Sequence, residues 1–421
     1  MSGELTLTAV LHRPAYQAMP TPQQAYVLFE ALPSQSTPAV RQMVNFCLVL
    51  DRSGSMAGEK LMQLKAAADL VVDRLGSGDM LSVILFDETS EILIPTGAVL
   101  DHQTLKSRID QIEERGGTHM STGMQAGLSQ LQHGQSTGRV SRLLLLTDGQ
   151  TWEDQAACES LADQCRAAGI PINVMGLGIG ADSNWDPRFL ENLAQRSGGE
   201  WMVIDTPTKA SLVFESILQD MQTSVVTNAS LTIRFVAGVQ PRAVWRVIPL
   251  ISRLGQSQLS PNDVQVFLGD IQHKLGQNLL LDVLLPEHPS GTFRLIQADV
   301  QYDVPATGLT HQRTSVEVVV PFTDDINQTE PVDPRMMNLI ERLVAHKLQT
   351  QALDEAASGD IQRATVRLRA AATRLLDLGE EEMAQVALEQ AQQMEQAGSL
   401  DPAAAQQMRY ATKRLTETDL P

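Results

Sequence analysis

Apolar residues follow two alternating patterns between about residue 44 and residue 221. Short continuous apolar runs, typical of strands buried on both faces of a parallel sheet, lie at 44–50, 81–86, 142–147, 172–177 and 201–204. Between these runs, apolar residues recur at helical spacing, as in the segment that contains Leu61, Leu64 and Ala68. This alternation predicts a doubly wound, mostly parallel α/β fold for residues 41–221.

The segments on either side of this region predict antiparallel strands. Two segments of alternating or β-rich character, 4–12 and 25–32, precede the α/β region, and further strands follow it between Ser230 and Val320. Turn residues such as Pro261 and Asn262 separate the later strands, which is typical of a β-sandwich. Because two strands alone are not a stable unit, we expect the first pair to join the later strands. The sequence therefore predicts a discontinuous β-sandwich from residues 1–40 and 222–325, with the α/β domain inserted in it.

The remaining segment, residues 330–421, has a helical pattern. Apolar stripes such as Ile340, Leu343 and Val344 alternate with breaks at Gly359 and Gly379. The spacing of the breaks predicts three or four antiparallel helices in a small bundle. A faint likeness to tetratricopeptide hairpins offers a peptide-binding repeat as the alternative to a structural bundle.

Charge and composition restrict the classes of function. The 421 residues include 32 Lys and Arg against 50 Asp and Glu, a formal net charge of −18, with a pI of about 4.8. This balance argues against sequence-independent binding to nucleic acid. No apolar run reaches the ~18 residues of a membrane span and the start lacks a signal-peptide pattern, so we expect no membrane span and a cytoplasmic location. Cys47, Cys158 and Cys165 are expected to be buried, reduced thiols.

The candidate chemistry lies directly after the first strand of the α/β region. The turn Asp51-Arg52-Ser53-Gly54-Ser55 offers one carboxylate and two hydroxyls, Thr118 lies in a loop after two glycines, and Asp148 follows another apolar strand. The carboxyl ends of strands in an open α/β sheet form the edge at which ligands bind. Oxygen donors alone suit a hard cation such as Mg²⁺, Mn²⁺ or Ca²⁺. The sequence therefore predicts a divalent-cation site at this edge.

These segments, in this order and spacing, closely resemble the metal-ion-dependent adhesion site of von Willebrand factor A domains. The resemblance covers residues 41–221 and implies that Ser53, Ser55 and Thr118 supply hydroxyl ligands, whereas Asp51 and Asp148 act through water or from outside the ligand shell. It also implies that an Asp or Glu of a partner protein completes the coordination. The inserted arrangement is similar to that of the A domain in the hybrid domain of integrin β chains.

Other interpretations of the same residues remain open. Asp51 or Ser53 is also suited to capping the following helix, and the Thr147-Asp148-Gly149 segment to forming an ordinary turn. A metal-dependent hydrolase is a further alternative, but Ser53 stands where a phosphatase-like motif has its second Asp, and the serine hydroxyls have no His or Lys base nearby in the sequence. A secreted adhesin is the third alternative.

The sequence thus predicts a non-enzymatic, metal-dependent binding protein. The resemblance places such proteins in bacterial signalling or assembly systems, beside kinases, phosphatases or AAA ATPases. The expected partner is a protein that presents an Asp or Glu to the metal. His119 is expected to be a plain loop residue.

Overall fold

The computed structural model describes residues 3–34, 41–136, 138–148, 151, 153–177, 187–204, 207–330, 333–398 and 402–416. Within these residues the chain forms three β-sheets and a C-terminal set of helices. The first three strands are β1 (Leu5–Leu11), β2 (Tyr16–Gln17) and β3 (Gln23–Pro33).

The next part of the chain builds a mixed sheet covered by helices. Its strands are β4 (Met43–Asp51), β5 (Met80–Phe86), β6 (Ser90–Ala98), β7 (Arg139–Thr147), β8 (Ile172–Leu177) and β9 (Trp201–Ile204). Its helices are α1 (Glu59–Arg74), α2 (His102–Asp110), α3 (Met120–Gly134), α4 (Gln155–Ala167), α5 (Pro187–Ser197) and α6 (Pro207–Thr223). The strand order is β6-β5-β4-β7-β8-β9, and every pairing except β5 with β6 is parallel.

Helices lie on both faces of this sheet because its central strands are apolar throughout. Leu48 and Leu50 of β4 belong to the core formed with α1 and α6, whereas Val49 belongs to the core formed with α3, α4 and α5. Helix α3 approaches β4 closely at Gly127, where a Cβ atom would lie 2.7 Å from Val49 Cγ2. Helix α3 therefore packs directly against β4, and Thr118 lies in the loop that precedes this helix.

Strand β6 was not predicted from the sequence. Most of its residues are exposed or half-buried, Ile94 alone is buried, and Pro95 interrupts it. An edge strand with one solvated face and a proline lacks the apolar run that marks the central strands. The sequence pattern predicts a helix at 105–112 in the next segment, whereas α2 begins at His102 and ends at Asp110.

The first strands pair with strands that follow the mixed sheet. These later strands are β10 (Ser224–Phe235), β11 (Gln240–Ile248), β12 (Ser252–Arg253), β13 (Gln256–Ser260), β14 (Asp263–Gln272), β15 (Gln277–Leu285), β16 (Gly291–Val304) and β17 (Leu309–Thr323). Two sheets result, in the orders β1-β3-β15-β11-β12 and β13-β14-β10-β16-β17-β2. Strand β3 pairs with β15 from Gln23 opposite Leu285 to Ala31 opposite Gln277. The two sheets enclose one apolar core.

The C-terminal region packs on the outer face of the first of these sheets. Its helices are α7 (Pro334–Ala357), α8 (Ile361–Asp377), α9 (Glu381–Ala397) and α10 (Pro402–Lys413). Met336 and Leu343 of α7 share a core with Leu28 of β3 and Leu280 of β15. Asp333 caps α7 by accepting the Arg335 N–H at 2.9 Å, as an acidic residue at a helix start is suited to do.

The fold class predicted from the sequence is confirmed, with a mixed α/β sheet, additional antiparallel sheets and a C-terminal helical region. The three cysteines are free and buried, also as predicted. No helix in the described ranges is long and apolar enough to cross a bilayer.

Acid should destabilise the contact between α7 and α10. His346 is buried there, and burial, followed by the charge of Lys413, lowers the pKa of His346 to about 3. In the unfolded chain His346 binds a proton with a pKa near 6.5, whereas in the folded chain it stays neutral over this range. This difference lowers the free energy of unfolding by about 2 kcal/mol as the pH drops from 7 to 5. We expect the fall in stability between these pH values, measured by urea unfolding, to be about 2 kcal/mol smaller in His346→Gln than in wild type. Burial also lowers the pKa of His12, to about 4, and this second contribution remains in both proteins.

The matched control is His273→Gln, in the connection between β14 and β15, which leaves His346 in place. An equal loss of stability on acidification in wild type and His346→Gln would contradict the assignment to His346.

Candidate metal centre

The first candidate residue ends the central strand of the mixed sheet. Asp51 is the last residue of β4 and its side chain is fully buried. Its Oδ1 accepts the Ser53 N–H at 2.9 Å and its Oδ2 accepts the Thr147 hydroxyl at 2.7 Å. Burial raises the pKa of Asp51 to about 6, although these hydrogen bonds act in the opposite direction. The carboxylate is thus held rigidly between the ends of β4 and β7.

The two serines that follow Asp51 bring their hydroxyls together. Residues Gly54–Met56 form one turn of 3₁₀-helix, and the Ser53 and Ser55 Oγ atoms lie 3.1 Å apart. Ser53 precedes this turn, but its side chain caps no backbone N–H. Helix α1 begins after Gly58 and also has no side-chain cap at that position. The alternative that Asp51 or Ser53 caps the following helix is therefore wrong: Asp51 accepts the N–H of Ser53, which precedes the 3₁₀ turn, and neither helix has a side-chain cap.

A backbone hydrogen bond ties the Thr118 loop to the serine turn. The Gly54 N–H donates to the Gly116 carbonyl at 3.0 Å, two residues before Thr118. Thr118 is half-buried, and α3 begins two residues later at Met120. This link places the third predicted hydroxyl in a loop that adjoins the first two.

Asp148 completes the set from the end of β7. It is buried, its Oδ2 accepts a hydrogen bond from Lys60 Nζ at 2.9 Å, and its Oδ1 has no hydrogen-bond partner in the part of the chain that the structure describes. The charge of Asp148 contributes to the raised pKa of Asp51, so the two carboxylates lie near each other. Gly149, the last residue of the predicted turn, lies outside the described residues.

The donor set is chemically suited to a hard divalent cation. It consists of hydroxyl and carboxylate oxygens, which are the ligands that Mg²⁺, Mn²⁺ and Ca²⁺ prefer. The unpartnered Oδ1 of Asp148 is a buried acceptor that a cation or its bound water would satisfy. Within the described residues, and so at this site too, no group of three or more His, Cys, Asp or Glu side chains is arranged to hold a metal ion.

Three residues near this site were not predicted to have a role. Lys60 neutralises Asp148, Thr147 donates to Asp51, and the buried Arg52 donates to Asp87 at 2.7 Å and to Glu91 at 2.8 Å. The sequence signal for Lys60 is its place in the first turn of α1, directly after the serine turn. The partners of Arg52 and Thr147 are distant in the sequence, so no local pattern indicated them.

His119 adjoins the site without contributing a donor to it in the described structure. Its N–H donates to the Asp87 carbonyl at 2.6 Å, and its Nδ1 is buried without a hydrogen-bond partner among the described residues. It stands directly before α3.

The match to known families accounts for two parts of the chain. Residues 45–218 match the model of the von Willebrand factor type A domain, and the arrangement of the mixed sheet agrees with that match. The chain therefore contains a von Willebrand factor type A domain. Residues 334–418 match the model of the Sll0103-like, C-terminal alpha-helical domain.

Relatives with similar sequences span different shares of the chain. An uncharacterized protein, sll0103, of Synechocystis is 29% identical over 343 residues, which cover 79% of this chain and 78% of that protein. The uncharacterized protein YfbK of Escherichia coli is 26% identical over 195 residues, which cover 45% of this chain and 33% of YfbK. Human inter-alpha-trypsin inhibitor heavy chain H3 is 26% identical over 240 residues, which cover 55% of this chain and 26% of the inhibitor heavy chain.

Two solved structures share the fold over nearly the whole chain. A von Willebrand factor type A protein from Catenulispora acidiphila has a TM-score of 0.77 at 17% identity, covering 97% of this chain and 96% of that one. The ArnB paralog VWA2 from Sulfolobus acidocaldarius has a TM-score of 0.58 at 14% identity, and the match covers 98% of this chain and 99% of that one. At these identities the likeness concerns the fold.

Replacing Lys60 should change both stability and cation affinity. In metal-free buffer, Lys60→Met leaves the buried Asp148 carboxylate without its cation, so we expect a loss of roughly 1–2 kcal/mol in the free energy of unfolding. Because the variant also removes a positive charge from the site, Mg²⁺ should bind about 3- to 10-fold more tightly in calorimetry.

The control is Lys65→Met on the same helix, whose Nζ donates to the Asp110 carbonyl instead. Unchanged Mg²⁺ affinity in Lys60→Met would place the cation away from Asp148.

Proposed function

We propose that this protein is a metal-dependent protein-binding module. In this proposal Ser53, Ser55 and Thr118 hold Mg²⁺, or Mn²⁺ or Ca²⁺, while Asp51 and Asp148 orient the site from outside the ligand shell. An Asp or Glu of a partner protein then completes the coordination. The observation that carries the proposal is the convergence of paired hydroxyls and two buried carboxylates at the carboxyl edge of the mixed sheet.

The balance of charge supports a carboxylate as the incoming group. The two buried carboxylates, Asp51 and Asp148, are opposed by one ammonium group, that of Lys60. A bound divalent cation would bring a further positive charge that neutral hydroxyl ligands do not offset. Positive charge beside a bound ion favours an anionic ligand from outside the chain.

The same geometry supports binding in preference to catalysis. Activating a serine hydroxyl as a nucleophile requires a base within hydrogen-bond reach. The Ser53 hydroxyl lies beside the Ser55 hydroxyl and the Asp51 carboxylate. Asp51 already accepts the Ser53 N–H and the Thr147 hydroxyl, and the nearby Lys60 ammonium is engaged by Asp148. We therefore propose that the protein is not an enzyme.

We also propose a bacterial, cytoplasmic setting in which the partner belongs to a signalling or assembly system, with kinases, phosphatases and AAA ATPases as candidate components. Two of the similar proteins are bacterial, from Synechocystis and Escherichia coli. Three free, buried thiols are compatible with a reducing compartment.

The proposal predicts that partner capture requires both the cation and the hydroxyls. Tagged wild-type protein in Mg²⁺ should recover a partner from native lysate, whereas wild type in EDTA and the Ser53→Ala/Ser55→Ala variant should recover at least 10-fold less by quantitative mass spectrometry. The physical reason is that the carboxylate contact is made only through the ion. Circular dichroism establishes that the variant is folded.

Ser315→Ala, at an exposed position of β17, is the matched control and should behave as wild type. Equal recovery in all samples would assign the interaction to the sandwich or the helices and reject the metal-dependent mechanism.

A further inference from the structure

A polar cavity lies between the α/β domain and the antiparallel sheets. Its volume is about 390 Å³, and the residues that matter to its chemistry are Arg166, Arg196, Arg246, Ser252, Ser257 and Phe267. The cavity contacts the end of α4 and the turn between α5 and β9, which lie at the amino edge of the parallel strands. The candidate metal centre lies at the opposite, carboxyl edge, so this cavity is a separate place on the molecule.

Glycines allow the two parts of the chain to approach closely beside the cavity. Gly198 has a φ of +83°, and a Cβ atom there would lie 2.4 Å from Phe267 Cε1 of β14. A Cβ atom at Gly199 would lie 2.1 Å from the Ile172 carbonyl oxygen. Glycine at position 198 therefore lets β14 approach this turn, and glycine at position 199 lets the turn pack against β8.

Three guanidinium groups line the cavity in a chain of formal net charge −18. Arg196 is engaged, because its Nη2 lies 2.7 Å from Asp163 Oδ2. Arg166 and Arg246 are held more weakly, because the ion pair of Arg166 with Asp163 and that of Arg246 with Glu200 are each 3.9 Å long. Two of the three arginines thus keep most of their hydrogen-bonding capacity.

Several buried donors in the cavity wall have no acceptor. Arg196 Nε, Arg246 Nε and Ser252 Oγ are each buried and make no hydrogen bond within the described residues. The Arg246 side chain is only 11% exposed, and its burial lowers the pKa of the guanidinium. A buried donor without an acceptor is unfavourable, so donors that line one space indicate an acceptor located in that space.

We propose that this cavity binds a small molecule bearing an oxyanion, either a phosphate or a carboxylate. Guanidinium groups recognise both anions through paired N–H donors. The volume is that of a small-molecule site, and Leu254, Phe267 and Leu268 provide an apolar wall for the remainder of the ligand. Because Arg166 belongs to the α/β domain and Arg246 to β11, the ligand bridges the two parts of the chain.

The test uses the full chain with the serine hydroxyls of the metal centre removed, so that its result is independent of the proposed function. Ser53→Ala/Ser55→Ala protein in metal-free buffer, at ionic strength held constant with sodium chloride, is titrated by calorimetry with inorganic phosphate and separately with citrate. Arg166→Gln and Arg246→Gln are added to this background. Arg294→Gln, which removes an exposed ion pair with Glu317 on the outer sheet, is the control.

We expect at least one probe to bind, with affinity reduced about 10-fold or more by Arg166→Gln and by Arg246→Gln and unchanged by Arg294→Gln. Binding of phosphate alone identifies a phosphorylated ligand, and binding of citrate alone a carboxylated one. Failure of both probes to bind, or equal affinity in all variants, would overturn the proposal. The buried donors of the cavity wall would then be hydrogen-bonded to water. If Arg246→Gln does not fold, Arg166→Gln decides the result, because the Arg166 side chain is one-third exposed and its ion pair with Asp163 is 3.9 Å long.

Discussion

The buried carboxylate of Asp51 constrains the whole carboxyl edge of the mixed sheet. A carboxylate in an apolar interior must be hydrogen-bonded or neutralised, and Asp51 receives donors from Ser53 on its own turn and from Thr147 on the neighbouring strand. The first bond folds the serine turn back on β4, and the second joins β4 to β7. Asp148 then follows Thr147 directly, so the position of the second carboxylate depends on the same contact.

The remaining elements hold this edge in place and attach it to the rest of the molecule. The Gly54 N–H fixes the Thr118 loop, and Arg52 joins that region to Asp87 and Glu91. At the other side of the domain, Glu191 of α5 forms ion pairs with Arg409 and Lys413 of α10. The helical region thus contacts both the antiparallel sheet and the α/β domain, which gives the von Willebrand factor type A domain contacts with both of its neighbours.

The elements with a strong apolar pattern were predictable from sequence, and those whose existence depends on distant partners were not. Central strands such as 172–177 coincide with β8 because burial on both faces requires an uninterrupted apolar run. Strand β6 was not predicted because Ile94 is its one buried residue, so the strand lacks an apolar run. Asp51, Ser53, Ser55 and Asp148 were identifiable as a group since parallel strands end at one edge. The contact between Lys60 and Asp148, which are 88 positions apart, could not be predicted, because it depends on how separate elements pack. The same holds for the polar cavity lined by Arg166, Arg196 and Arg246.

The most direct test of the proposed metal site is the anomalous scattering of Mn²⁺ in crystals of the protein. We expect a peak within about 2–2.5 Å of the Ser53 and Ser55 hydroxyl oxygens, with Thr118 on the same ion and no such peak in Ser53→Ala/Ser55→Ala crystals. A peak located only on acidic surface residues, or no peak at a Mn²⁺ concentration well above that of the protein, would contradict it.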